Sequence, residues 1–99
     1  MSFYPVFVQL EGKKVVVVGG GNVAYRKVLA LLECGAAIHL AGRELTPELE
    51  QMVEKGEIHF LGPEFKDEYL ERAFMAIAAT DDKDLNHHIS TCSREKGVL

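Results

Sequence analysis

Four consecutive valines, Val15 to Val18, run straight into three glycines, Gly19 to Gly21, and a helix-period pattern begins at Asn22. An unbroken β-branched run of this kind suits a strand buried on both faces, at the centre of a parallel sheet. Read as Gly-x-Gly-x-x-Ala, the turn comprises Gly19, Gly21 and Ala24. Glycine serves three ends there: a sharp reversal, approach of a diphosphate to bare backbone, and close packing of helix on strand. The free N–H groups of the helix start, at the positive end of the helix dipole, then form an anion site. The alternative is a tight strand-to-helix turn that holds no ligand.

The rest of the chain alternates in the same way. Ala24, Val28, Leu31 and Leu32 form one apolar stripe, so a first helix is expected over about Asn22–Glu33, stopped by Gly35. Ala36–Leu40 reads as a second strand. Thr46-Pro47 is a strong helix start, with Leu49, Met52 and Val53 facing inward and Gly56 ending the helix. Glu57–Leu61 is expected as a third strand with Ile58 and Phe60 inward, and Phe65–Leu70 as a short helix. Ala73–Ala79, nearly all apolar, reads as a central fourth strand. A last helix spans about Asp82–Lys96, capped by Asp81 or Asp82, with Leu85, Ile89 and Cys92 inward. Phe3–Leu10 reads as an extended lead-in or an edge segment.

The expected fold is therefore α/β, a Rossmann-like parallel sheet of order 3-2-1-4 with helices on both faces. Val98-Leu99 reads as the start of a fifth strand that the chain cuts short, so the 99 residues are expected to be one nucleotide-binding domain without its last sheet element. Ligand belongs at the switch point between strands 1 and 4, over Gly19–Ala24 and Thr80–Asp82.

Composition narrows the function. With 47% hydrophobic and 26% charged residues the chain is a globular one, and its net charge of −4 argues against a general nucleic-acid binder. No run approaches the ~20 apolar residues of a membrane span, and no leader pattern opens the chain. Two cysteines without a motif suit reduced thiols in the cytoplasm.

Several polar residues fall near the expected site. Ala41-Gly42-Arg43-Glu44 follows strand 2, where a dinucleotide site usually carries an acidic residue for the ribose. Here Arg43 could stack on adenine or meet a 2′-phosphate, and Glu44 could reach the ribose; both could equally be solvated loop charges. Thr80 and Asp81 fall beside the nicotinamide position, or serve capping alone. Arg26 and Lys27 either face an anionic ligand or are solvated. His88 and Cys92 share a helix face, but no third ligand is evident and no metal site is expected.

The motifs together resemble a known family. Pro5-x-Phe7-x-x-Leu10, Val17-Val18-Gly19-Gly20-Gly21-x-Val23-Ala24-x-Arg26-Lys27, Leu31-Leu32-x-x-Gly35-Ala36 and Ile77-Ala78-Ala79-Thr80-Asp81-Asp82-x-x-Leu85-Asn86 are similar to the N-terminal dehydrogenase domain of the siroheme synthase family. The resemblance extends from about Phe3 to Leu99. It implies NAD-dependent oxidation of precorrin-2 to sirohydrochlorin, with Fe²⁺ as a co-substrate in bifunctional members, and a homodimer. By motif position, it implies cofactor contacts at Gly19, Gly20, Gly21, Asn22, Val23, Ala24, Arg43, Glu44, Thr80 and Asp81. It also places the family's key aspartate just beyond Leu99, so no catalytic residue is expected in this chain. The rival expectation is a non-catalytic nucleotide-sensing Rossmann module.

Overall fold

The valine run lies at the middle of the sheet. In the computed structural model, which describes residues 4–99, β1 (Lys14–Val18) is flanked by β2 (Ala37–Ala41) and β4 (Met75–Ala78), both parallel to it. A third neighbour, β3 (His59–Gly62), pairs with β2, giving the expected order β3-β2-β1-β4. Met1–Phe3, which include the first residue of the lead-in and the opening of the stretch read for a leader, lie outside the described residues.

Strand alternation separates two cores. Val15 and Val17 join Ile38 and Leu40 on one face, under α1 (Asn22–Glu33) and α2 (Pro47–Glu54). Val16 and Val18 join Leu70, Ile89, Cys92 and Val98 on the other, under α3 (Lys83–Glu95) and a short 3₁₀ helix at Asp67–Leu70. Val15, Val16 and Val17 are wholly inaccessible. A strand covered on both faces has no polar side to alternate with, which is why this stretch reads as a continuous apolar run.

The helices start and stop where local chemistry directs. The Thr46 Oγ1 accepts from the Leu49 N–H at 3.2 Å, with Pro47 at the first helical position. Of the two candidate caps for α3, Asp82 is the one used: its carboxylate accepts from the Leu85 N–H at 3.1 Å.

Three expectations need correction. Strand 3 begins two residues late: Ile58 is buried ahead of it, but Phe60 is 37% exposed. The β2–β3 ladder slips between Leu40 and Ala41, so the alternation of this edge strand does not carry through. Strand 4 is shorter than Ala73–Ala79 and is the outer strand of the described sheet, with Ala78 exposed. The apolar lead-in is no edge strand: residues 4–9 are exposed and irregular, and only Leu10 is buried.

Candidate functional site

Three strand ends converge at the carboxyl edge of the sheet. The Gly19 N–H donates to the Ala41 carbonyl at 2.8 Å, and the Ala79 N–H donates to the Val18 carbonyl at 2.8 Å. The glycine turn is thus held between the ends of β2 and β4. Gly19 has φ +140°, and a Cβ there would collide with the Ala79 carbonyl oxygen. The Gly20 carbonyl accepts from the Thr46 N–H at 2.9 Å, which ties the turn to the start of α2.

Gly21 differs from its two neighbours. It is exposed, its φ is −88°, and a Cβ built on it would meet nothing within 4 Å. It is also the N-cap of α1, and no side chain caps that helix. The first-turn N–H groups of an α-helix have no partner inside the helix. At Asn22 and Val23, both exposed, they are therefore open to a ligand, and no acidic side chain in that turn competes. Asn22 is exposed and Val23 half exposed, while Ala24 is buried against β1 and keeps the helix close to the strand. This arrangement suits a diphosphate.

Arg43 is exposed beyond β2, but it is not free. Its Nε donates to Glu64 Oε1 at 2.8 Å and its Nη2 to Glu64 Oε2 at 3.0 Å, a two-pronged pair. That pairing raises the guanidinium pKa and holds the Glu64 carboxyl below its usual range. Glu44 is exposed next to it. Glu64 follows Gly62-Pro63 in a loop 21 residues from Arg43, and nothing in the local sequence links the two.

Thr80 lies half-buried after β4 and is fixed by a residue of α3. Its hydroxyl donates to Asn86 Oδ1 at 2.6 Å, while Asn86 Nδ2 donates to the Thr80 carbonyl at 3.0 Å. Asp81 is exposed beside it. Gly19–Ala24 and Thr80–Asp81 therefore follow the adjacent strand ends of β1 and β4, and Arg43 and Glu44 follow the end of β2 on the other side of β1. Sequence reading missed three contributors, Gly42, Glu64 and Asn86. Asn86 stood in the quoted motif, and only the fold shows which backbone it holds.

Open hollows lie elsewhere on the surface. One of about 500 Å³ lies along β2 and β3, lined by His39, Val53, Ile58 and His59. Another, about 260 Å³, runs along the outer edge of β4, lined by Ala76, Ile89, Ser93 and Val98. On the α3 side, Asp67 reaches His88 and Cys92 and supplies the third donor that their spacing alone did not reveal. Burial first, then Asp67, pushes the Cys92 thiol pKa up. Among the described residues, no helix is long and apolar enough to cross a membrane.

Known proteins share this pattern. The model of the family described as "Putative NAD(P)-binding" matches residues 6–99. The chain is similar to siroheme synthase of Photorhabdus laumondii, at 42% identity over 99 residues, which are all of this chain and 21% of that protein. It is also similar to siroheme synthase 1 of Serratia proteamaculans, at 44% identity over the same length and share. The chain thus spans about a fifth of the length of these curated relatives. Among solved structures, SirC, a precorrin-2 dehydrogenase, superposes with a TM-score of 0.80 and 31% identity, covering 89% of this chain and 44% of that one.

Proposed function

The chain belongs to this NAD(P)-binding family, and from that premise we propose that it is the NAD-binding domain of an enzyme that oxidises precorrin-2 to sirohydrochlorin. The observation that carries the reading is Gly21: an uncapped helix start with open space before it, at the switch point of a parallel sheet.

In this reading the backbone N–H groups of Gly21, Asn22 and Val23 bind the cofactor diphosphate, with Asn22 donating from its side chain, and buried Ala24 holds the helix against the strand. Glu44 and Arg43 border the adenosine half, and Thr80 and Asp81 border the nicotinamide half. The bound nicotinamide supplies the hydride acceptor. The work of these residues is to place and orient it. Thr80, held by Asn86, gives that end a fixed wall rather than a mobile one.

NAD is favoured over NADP by the occupied fork of Arg43. A 2′-phosphate reaching that guanidinium would have to approach the Glu64 carboxylate already bound to it.

The longer protein supplies what these residues do not. A fifth strand docks along the free edge of β4, and a carboxylate beyond Leu99 takes the macrocycle proton. Fe²⁺ is a second substrate of the longer protein, inserted into sirohydrochlorin, and that protein pairs with a second copy. Two free thiols, Cys34 and Cys92, fit a reducing cytoplasmic setting.

The test is to incubate the full-length protein with precorrin-2 and NAD and follow the macrocycle by absorbance. Conversion that needs NAD supports the reading. Nucleotide binding without turnover would favour a nucleotide-sensing module instead, and absence of binding would remove both.

A further inference from the structure

We propose that Asp67, His88 and Cys92 form a site for a thiophilic divalent cation of the zinc class, on the α3 side of the sheet. It shares no residue with the nucleotide-contacting set and is no part of the dehydrogenase reading.

The three donors come from two elements. His88 and Cys92 lie one turn apart on α3 and so share a face. Asp67 opens the 3₁₀ helix that packs beside α3. Their ligand atoms all lie within 4.8 Å of one another. His88 Nε2 is 3.1 Å from Asp67 Oδ1 and 3.5 Å from Cys92 Sγ. Zinc bond lengths of about 2.0 Å to nitrogen or oxygen and about 2.3 Å to sulfur, at tetrahedral angles, set such ligand atoms about 3.3–3.6 Å apart. The His88–Asp67 and His88–Cys92 spacings fall within about 0.2 Å of those values, and the Asp67 carboxylate, on an exposed side chain, closes the remaining gap to Cys92.

The donor set also selects the ion. Magnesium and calcium take oxygen ligands, whereas thiolate with imidazole selects zinc and its softer neighbours. Binding would replace the proton on the Cys92 thiol, which leaves to solvent, while the neutral His88 keeps its proton on Nδ1. Cys92 sits in the apolar wall, 7% exposed, but the side chains of Asp67 and His88 are more than half exposed. The ion therefore has an entry path and room for a water as fourth ligand. The Phe65 ring lies edge-on to the His88 imidazole, with centroids 6.1 Å apart, and steadies it. The cation would fasten the crossover that precedes β4 to the helix that follows it.

The test uses the full-length protein stripped of metal and titrated with Co²⁺ and then Zn²⁺. The expected result is a thiolate-to-cobalt charge-transfer band at one equivalent, absent in Cys92→Ser. Zinc affinity falls roughly tenfold or more in His88→Gln and in Asp67→Asn. Other metal sites in the longer chain persist in all three variants and drop out of the comparison. No charge-transfer band, or one that survives in Cys92→Ser, overturns the proposal. Because Cys92 is buried, its variant can fail to fold. His88→Gln, at an exposed position, then decides alone: unchanged zinc affinity and an unchanged zinc-induced rise in Tm would refute the site.

Discussion

Gly42 stands against the backbone of Gly19: a Cβ on Gly42 would lie 2.9 Å from both the carbonyl carbon and the carbonyl oxygen of Gly19. The end of β2 therefore props the glycine turn from behind, and the turn's shape depends on a residue outside its own motif. Gly42→Ala should force the two segments apart, costing about 1–3 kcal/mol of stability. Displacing the cradle by a fraction of an ångström should cost roughly tenfold to a hundredfold in NAD affinity. Urea denaturation and calorimetric titration of the full-length protein measure the two effects; unchanged affinity in a folded variant would refute the coupling.

Gly21→Ala separates the cradle from the fold. Its backbone is one that alanine adopts, and its Cβ enters open space, so stability should change by no more than about 1 kcal/mol. In the proposed complex that same space holds the diphosphate, so nucleotide affinity should drop sharply. A variant that binds NAD as well as the parent would place the diphosphate elsewhere.

The difference between these two glycines shows what the sequence can disclose. The glycine turn was legible because strand, turn and helix are contiguous, and the valine run has an unmistakable burial pattern. The order of the strands followed from right-handed crossovers. Gly42, Glu64 and Asn86 were not assigned their roles, because each acts on a partner brought near only by the sheet. Asp67 was hidden for the same reason: it precedes His88 by 21 residues, with no spacing rule between them. The slip of β3 was hidden too, since edge strands obey alternation only where something covers them.

The Arg43–Glu64 pair is largely exposed and contributes little to stability. Its effect belongs in cofactor choice. Glu64→Gln removes the negative charge and frees the guanidinium, so NADP affinity should rise several-fold relative to NAD while the melting temperature barely moves. Titration with both nucleotides reads the ratio. An unchanged ratio would mean that Arg43 does not lie beside the adenosine ribose.

His39 faces His59 across β2 and β3, with ring centroids 5.1 Å apart. Burial first, then Lys14 and His59, holds its pKa below 6.5. As pH falls the unfolded chain therefore takes up this proton before the folded one does. The stability tied to neutral His39 is complete above pH 6.5 and is lost as pH falls through the folded value. The lowered Glu64 and Asp67 carboxyls act at lower pH, beneath ordinary values of 4.5 and 3.8, so the window just below 6.5 belongs to the histidine. Urea midpoints across that window should decline for the parent and stay flatter for His39→Asn. Parallel curves would rule this account out.

Among the described residues no strand pairs with the outer edge of β4, which borders a groove lined by Ala76, Ile89, Ser93 and Val98, and exposed strand edges invite pairing with other strands. Ser93 Oγ is buried there without a partner among the described residues, a cost that a polar group on a docked strand would remove. The Leu99 N–H already donates to the Phe74 carbonyl at 3.2 Å, so the chain is directed along this edge as it leaves α3. Residues 1–99 expressed alone should therefore self-associate, or be only marginally stable as a monomer. Sedimentation velocity should show weight-average mass rising with concentration. Ala78→Lys puts a charge on an exposed position of the edge and should return the protein to monomer. If residues 1–99 sediment as a stable monomer at high concentration, the edge does not need a partner strand, and the proposed fifth strand loses its main physical support.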